Sequence, residues 1–379
     1  MKPIFLFLTF RVAPCFLSHA FAQGSCPMMA GFPKDTSTHA ATLGNITEFP
    51  LQWPYDTITQ LGSTHELVIN EKYVYITGQN MHQLARFDRR TNQIKHFPMP
   101  KGSGPHGILF DHQGRLWVSL EFDGFVVRLD DNGHIVKKID VRMYPVGTKN
   151  PINPAPHGIC LGADGKTIWF TGKRTSTIGR ITNPDAENPV VEHFELPQLG
   201  GVPIYLRAGA DGSVWGTELL GSKILKVSAT GKVEEFTIPT PNSRPIGIIH
   251  DPEGKCMWFS EESGVKICKI TFDGVITEYA VPALQKNDIM ASLAFDDEMN
   301  LWVQVYVDMN NPNPSGYDYI VKFDKSIRNL KTNDLSGVPF STHTIPSKCS
   351  VMHRIEKDEE GNLWFTEMMA DRLGKVTLK

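Results

Sequence analysis

Several things are scarce in this sequence, and each scarcity excludes a class of protein. No C-x-x-C pair occurs among the six cysteines, so neither a zinc ribbon nor a thioredoxin-type redox site is supported. There is no excess charge of either sign: 38 Lys and Arg stand against 41 Asp and Glu, for a formal net charge of −3. That balance gives no overall electrostatic drive toward nucleic acid or an anionic membrane. Past the first 22 residues no apolar run is long enough to span a bilayer. The charged fraction of 21% and hydrophobic fraction of 41% are those of a chain that buries a core, which excludes wholesale disorder. What the chain does have is 32 Gly and 26 Pro in 379 residues, the mark of frequent turns rather than long helices.

Residues 1–22 read as a secretory signal rather than as part of the fold. Lys2 is followed by an apolar run broken by Arg11 and His19, and Ala20-Phe21-Ala22 has the spacing of a signal-peptidase site. A secreted or periplasmic protein is expected, with no membrane span. Residues 23–43 then form an N-terminal extension and 44–379 a single domain. Loss of the signal removes Cys15 and leaves five cysteines, an odd number. A Cys26–Cys349 disulfide is one expectation, a Cys256–Cys268 pair a second, and Cys160 reads as a buried thiol. Asn45-Ile46-Thr47 is a glycosylation acceptor in a eukaryotic host only.

Internal repetition is the strongest signal. GPHGILFDHQGRLWVSLE from Gly104, APHGICLGADGKTIWFTG from Ala155, VPIYLRAGADGSVWGTE from Val202 and RPIGIIHDPEGKCMWFSE from Arg244 share one template. Weaker copies begin at Ser63, Asp288 and Ser350, and tails such as STIGRIT and VEEFTIP recur between them. Seven copies in the 317 residues from Ser63 to Lys379 give about 45 each, the blade period of a β-propeller. Each copy divides into four short β-prone runs separated by D-x-x-G and similar turns. The fold expected is an all-β, seven-bladed propeller with four antiparallel strands per blade. Trp117, Trp169, Trp215, Trp258, Trp302 and Trp364, with Tyr75 in the first copy, fall on second strands and should pack between blades. The seventh copy lacks a fourth strand, and residues 44–51 match the missing tail, so an N-terminal strand should close the ring.

In such a ring the start of each first strand and the end of each second strand meet at one rim of the central channel. The first of these positions carries His65, His106, His157, Ile204, Ile246, Ala291 and His353. Blade seven abuts blade one, so the four histidines should form an arc, opposite an apolar arc of the other three. The competing expectation is that each His merely bonds backbone carbonyls of its neighbour. At the second position stand Glu121, Glu218, Glu261 and Glu367, with Gly78, Gly172 and Gln304 in the other blades. Glu121, one residue further along than the rest, is the favoured partner for the imidazoles, whereas Glu218, Glu261 and Glu367 read equally well as solvated rim carboxylates. Imidazole beside carboxylate suits metal ligation or general-base work.

Two top-face connections, 141–156 and 306–319, exceed ordinary propeller turns. Met81, Phe122, Phe125, Tyr144, Leu219, Tyr306, Met309, Met368 and Met369 lie in or beside the top-face connections. An apolar, Met-rich hood over a polar mouth suits a medium-sized, partly hydrophobic small molecule as the substrate, bound by Met81, Phe122, Tyr144, Leu219, Tyr306, Met368 and Met369. Nucleic acid and membrane are not expected partners, and a monomer is expected.

The PHGI…LWF(T)E…IGRI…I-x-E-F-x-LP repeats resemble the virginiamycin B lyase (streptogramin lyase) family over nearly all of the mature sequence. The resemblance implies a seven-bladed propeller that opens cyclic streptogramins by elimination at an ester linkage, with Mg²⁺. It implies His65 as the substrate-contacting His, His106 as the proton-abstracting His and Glu121 as a metal-binding Glu. The family's Glu immediately before Pro-His is Gly104 here, and Ala155 in the next copy. Mg²⁺ through Glu121, or no cofactor at all, both stay open. With elimination, His106 removes a proton next to a carbonyl and His65 or His157 donates to the enolate oxygen. Two alternatives stand beside it: a metal-independent cyclase of the hetero-Diels–Alder type, polarised by His65, His106, His157 and His353, and a non-catalytic binding propeller.

Overall fold

The protein's structure is a computed structural model that describes residues 39–54, 62–308 and 316–378. The signal segment, Cys26 and Met309 lie outside the described residues. Seven antiparallel sheets follow one another along the chain. Their innermost strands are Thr64–Ile69, Pro105–Phe110, Pro156–Leu161, Pro203–Ala208, Pro245–His250, Asp288–Phe295 and Met352–Lys357. Each of these packs on the innermost strand of the next blade, and the last packs on the first, so they line a closed ring. The all-β, seven-bladed propeller read from the repeats is the fold.

Closure also follows the expected route. Ile46–Pro50 pairs antiparallel with Arg372–Val376, with Ile46 opposite Val376 and Pro50 opposite Arg372, and so supplies the outer strand of blade seven. A short fifth strand, Ala41–Leu43, folds back on it, which the repeat did not foretell because no other blade has a counterpart. Without this graft the third strand of blade seven would present an unpaired edge.

The core is distributed as seven apolar layers, one between each pair of neighbouring blades. A four-stranded sheet cannot cover its own two faces, and stacking solves the problem for every blade at once. The six repeat tryptophans are buried in these layers. In five blades the aspartate of the turn between the first two strands, three of them in D-x-x-G, accepts the indole N–H at 2.8–3.1 Å (Asp111, Asp211, Asp251, Asp296 and Asp358). One carboxylate thus serves the turn backbone and a buried donor that would otherwise be unsatisfied. Neighbouring blades are further joined near the channel: Thr366 Oγ1 donates to the His65 carbonyl at 2.6 Å, Ser119 Oγ to His157 at 3.0 Å and Thr217 Oγ1 to Ile246 at 3.0 Å.

The cysteines depart in part from expectation. Cys349 is disulfide-bonded, and its partner lies outside the described residues, as does Cys26. Cys160, Cys256 and Cys268 are free and buried. A Cys256–Cys268 bridge is therefore corrected. Cys256 pairs with Thr271 and Cys268 with Phe259, an odd offset that sends the two thiols to opposite faces of blade five.

Candidate active site

Every innermost strand begins with a register shift against its neighbour, between Thr64 and Leu67 in blade one and between Pro105 and Ile108 in blade two, for example. The extra residue falls where the repeat carries His, and such bulges re-aim side chains. In blades two and three the residue after the His must be Gly. A Cβ on Gly107 would lie 2.4 Å from the His157 carbonyl oxygen, and one on Gly158 2.3 Å from that of Ile204.

The bulges gather four imidazoles in the order His353, His65, His106, His157. Successive ring centroids are 5.2, 5.1 and 3.5 Å apart. His65 donates from Nδ1 to the Ser63 carbonyl (2.7 Å) and His106 from Nδ1 to the His157 carbonyl (3.3 Å). A carbonyl can only accept, so in both rings Nδ1 carries the proton and Nε2 the lone pair. His106 is 1% exposed, and its Nε2, like Nδ1 of His157, is buried without a hydrogen-bond partner. Burial lowers the pKa of His65 to about 3, helped by the charge of His353. Burial likewise holds His106 and His157 well below the ordinary imidazole range.

Beneath this arc lies a second tier that the motif hides. Where blades two, three and five have Gly after the first channel position, blades one, four and seven have Glu66, Tyr205 and Arg354. These meet across the channel. The Tyr205 hydroxyl donates to Glu66 Oε1 at 2.8 Å, Arg354 Nε lies 3.4 Å from Glu66 Oε2, and the guanidinium sits 5.0 Å from the Tyr205 ring centre. His353 Nδ1 is 3.3 Å from both Glu66 Oε1 and the Tyr205 hydroxyl. Burial pushes the Glu66 carboxyl up, but Arg354 and His353 outweigh it and hold the group ionised. The apolar arc expected opposite the histidines is therefore not bare. Ile204 and Ala291 turn into the interblade layers, and the phenol of Tyr205 reaches across from that side.

Glu121 is buried at the mouth. Its Oε2 accepts from Gln79 Nε2 at 2.6 Å and its Oε1 from Lys173 Nζ at 3.1 Å. Donor atoms of His106, Glu121 and His157 all lie within 4.8 Å of one another, and so do those of Glu66, His106 and His353. Gln79 and Lys173 hold Glu121's place in their own blades, four residues past Tyr75 and Trp169. Glu262 is the counterpart in blade five and pairs with Arg244 at 2.6 Å and with the Tyr306 hydroxyl at 3.1 Å.

Glu218, Glu261 and Glu367 are neither in the channel nor solvated. All three are fully buried under their strand turns, because they stand one residue earlier and so face the other way. Burial raises Glu218 to about 8, with Glu235 adding to it, and Glu261 to about 7. Glu367 is raised well above the carboxylate range by burial and then by Glu48, itself buried and bonded to Ser347. Gln304 belongs with the joining hydroxyls instead, since its Nε2 donates to the Arg354 carbonyl at 3.1 Å.

The apolar hood is only partly present. Phe122 (42% exposed) and Tyr144 (61%) are open, and Leu219, Met368 and Met369 are half-buried. Met81 and Tyr306 are corrected: both are buried in interblade layers, Met81 beside Trp53 and Leu51, Tyr306 between blades six and seven. The 141–156 connection folds on itself through a Met143–Ile152 bridge, and Asn153 Nδ2 ties it to the Phe122 carbonyl at 2.8 Å.

The model of the Virginiamycin B lyase family matches residues 70–308. A virginiamycin B lyase of Nocardia farcinica is 30% identical over 150 residues, which is 40% of this chain and 47% of that relative, so the match spans about half the relative's length. Among solved structures, a virginiamycin B lyase from Staphylococcus aureus is 27% identical with a TM-score of 0.68, covering 88% of this chain and 99% of the other. A catalytically inactive form of the S. aureus enzyme with quinupristin aligns at 25% identity, TM-score 0.69, over 88% and 99% of the two chains. By its repeats, its ring and this match over more than half of its length, the chain belongs to the virginiamycin B lyase family.

Proposed function

We propose that the protein opens a cyclic or ester-containing small molecule by proton abstraction and elimination, with His106 as the base. The observation that carries this reading is the state of that ring: neutral, its Nδ1–H tied to a backbone carbonyl, its Nε2 lone pair buried and unpartnered among three further imidazoles. A base of this kind needs no deprotonation at neutral pH. Nε2 takes the proton from a carbon next to a carbonyl, the C–H electron pair becomes a C=C bond, and the adjacent C–O bond breaks. The ester oxygen leaves as a carboxylate, and the imidazolium returns its proton to solvent. No water is consumed and nothing is oxidised or reduced.

His353 faces the same space with Glu66 at its Nδ1. Glu66 Oε1, 3.3 Å from Nδ1 of this ring, can hold an Nδ1–H and so orient His353 toward the oxygen on which charge develops. The half-open rim of Phe122, Tyr144, Leu219, Met368 and Met369 supports a partly hydrophobic ligand, and the similar S. aureus virginiamycin B lyase solved with quinupristin supports that compound as the substrate to try first. On the strength of the N-terminal sequence alone, the reaction belongs outside the cytoplasm.

The test is incubation with quinupristin and with a panel of simpler macrocyclic lactones, the products being weighed by mass spectrometry. Elimination gives a ring-opened isomer of unchanged mass that carries a new double bond. A product heavier by one water, or no consumption of any panel member, sinks the reading.

A further inference from the structure

Lys173 leaves the second strand of blade three at the height where Glu121 leaves that of blade two. The Lys173 backbone N–H bonds the Ala155 carbonyl at 3.3 Å, as that of Glu121 bonds Gly104 at 2.9 Å. With Lys173 Nζ on one oxygen and Gln79 Nε2 on the other, both oxygens of Glu121 are engaged by protein donors. The other two carboxylates on this side are matched in the same way, Glu66 by Arg354 and Glu262 by Arg244. Among the described residues the position just before Pro-His in blade two offers no carboxylate, because it is Gly104. Mg²⁺ takes oxygen ligands in near-octahedral array. The site offers it two carboxylates, Glu121 and Glu66, each already matched by a cationic side chain, and several imidazoles, so these residues do not fit Mg²⁺.

We infer that the ammonium of Lys173 stands where a divalent cation would otherwise sit, as the resident positive charge of the site, and that it binds the substrate oxygen on which negative charge develops. The second half of this statement rests on the elimination reading, and the first half does not. The Lys173 side chain is 35% exposed, so Nζ can meet a ligand entering the mouth without leaving a core contact. The carboxylate it bonds lies within 4.8 Å of ring nitrogens of His106 and His157, so the ammonium stands beside the histidine arc.

The inference has a converse. Without the ammonium, the Glu121 carboxylate would be left beside His106 and His157, a ring nitrogen of each lying within 4.8 Å of it. With donor atoms of the three residues within 4.8 Å of one another, they form a two-His, one-carboxylate set of the kind that Mn²⁺, Fe²⁺ or Zn²⁺ accepts. Lys173 therefore closes a metal site that the rest of the constellation would make.

Mn²⁺ itself is the probe, followed by electron paramagnetic resonance on the purified protein. Wild type and Lys173→Arg should bind it weakly. Lys173→Met should bind it at least about tenfold tighter, since even a modest charge repulsion is worth that factor, and the bound spectrum should show imidazole-nitrogen coupling. Adding Glu121→Gln to Lys173→Met should abolish the gain, and Lys173→Gln gives a second route to the same comparison. Wild-type binding as tight as that of Lys173→Met overturns the inference, and so does a gain that survives Glu121→Gln. None of these outcomes depends on a substrate, so they stand or fall separately from elimination. In the quinupristin assay, a chelator should leave the wild-type rate unchanged and Lys173→Met should lower kcat about 100-fold. A wild-type rate abolished by chelator and restored by Mg²⁺ contradicts the proposal.

Discussion

The imidazoles of His106 and His157 stand 3.5 Å apart, centre to centre, on the innermost strands of adjacent blades. The carbonyl of His157 accepts from Nδ1 of His106, so the backbone of one blade sets the tautomer of the next blade's ring. Two imidazoles this close and this buried repel when charged, and each is held neutral by its site.

That neutrality makes the pH dependence of turnover predictable. A base that is already unprotonated gains nothing from rising pH. The acid limb of kcat should lie well below 6.5, the usual imidazole value, instead of near it. An acid limb centred near 6.5 would mean that a solvated histidine is the base.

Glu66 should act through His353 rather than on the substrate. Glu66→Gln keeps the size of the side chain but removes the carboxylate that faces Nδ1 of His353 at 3.3 Å. The expected result is a fall in kcat of about 10–100-fold with KM unchanged. A variant that raises KM and leaves kcat alone would place Glu66 in ligand binding instead.

Glu218 predicts a stability effect with a definite sign. Its folded pKa, about 8, lies above the ordinary carboxyl value of 4.5, so the folded state holds a proton that the unfolded chain releases between those limits. The stability it contributes is fully present below pH 4.5 and is lost as pH rises toward 8. Glu218→Gln should therefore raise the unfolding temperature at pH 8.5, by about 2–5 °C, and change little at pH 4. Thermal unfolding followed by circular dichroism at the two pH values checks this, and equal shifts at both contradict it.

Ring closure by the N-terminal strand can be tested at Ile46, which is fully buried between blades six and seven. Ile46→Ala should cost about 2–4 kcal/mol in denaturant unfolding. A cost no larger than that of an exposed surface substitution would show that the graft is dispensable.

The architecture was readable because one template recurs seven times. The turn aspartates, the tryptophans and the orphan tail at 44–51 each had a single sensible place in a ring. The histidine arc followed from the same alignment. The mouth was harder. Aligned on the residue three past the Trp, the repeat pointed to Glu218, Glu261 and Glu367, whereas the side chains that reach the channel stand one residue later, where Glu121 alone had been noticed. Lys173, Gln79 and Glu262 were missed for that reason. Glu66, Tyr205 and Arg354 were missed because the template treats their position as a glycine spacer. Their departure from Gly was visible in STHEL, VPIYL and SVMHR, but only bulge geometry shows that these three side chains meet across the channel.

The central claim is that Nε2 of His106 removes the substrate proton, and the most direct measurement is turnover of a streptogramin B-type depsipeptide by wild type and by His106→Ala. His106 is buried beside Gly107 and the His157 carbonyl, so His106→Gln, which retains a donor, serves as the folding control. Wild type should release the ring-opened isomer, and both variants should keep the fold but lose at least about 1,000-fold in kcat/KM. Turnover by the folded variants within a few-fold of wild type would contradict the assignment.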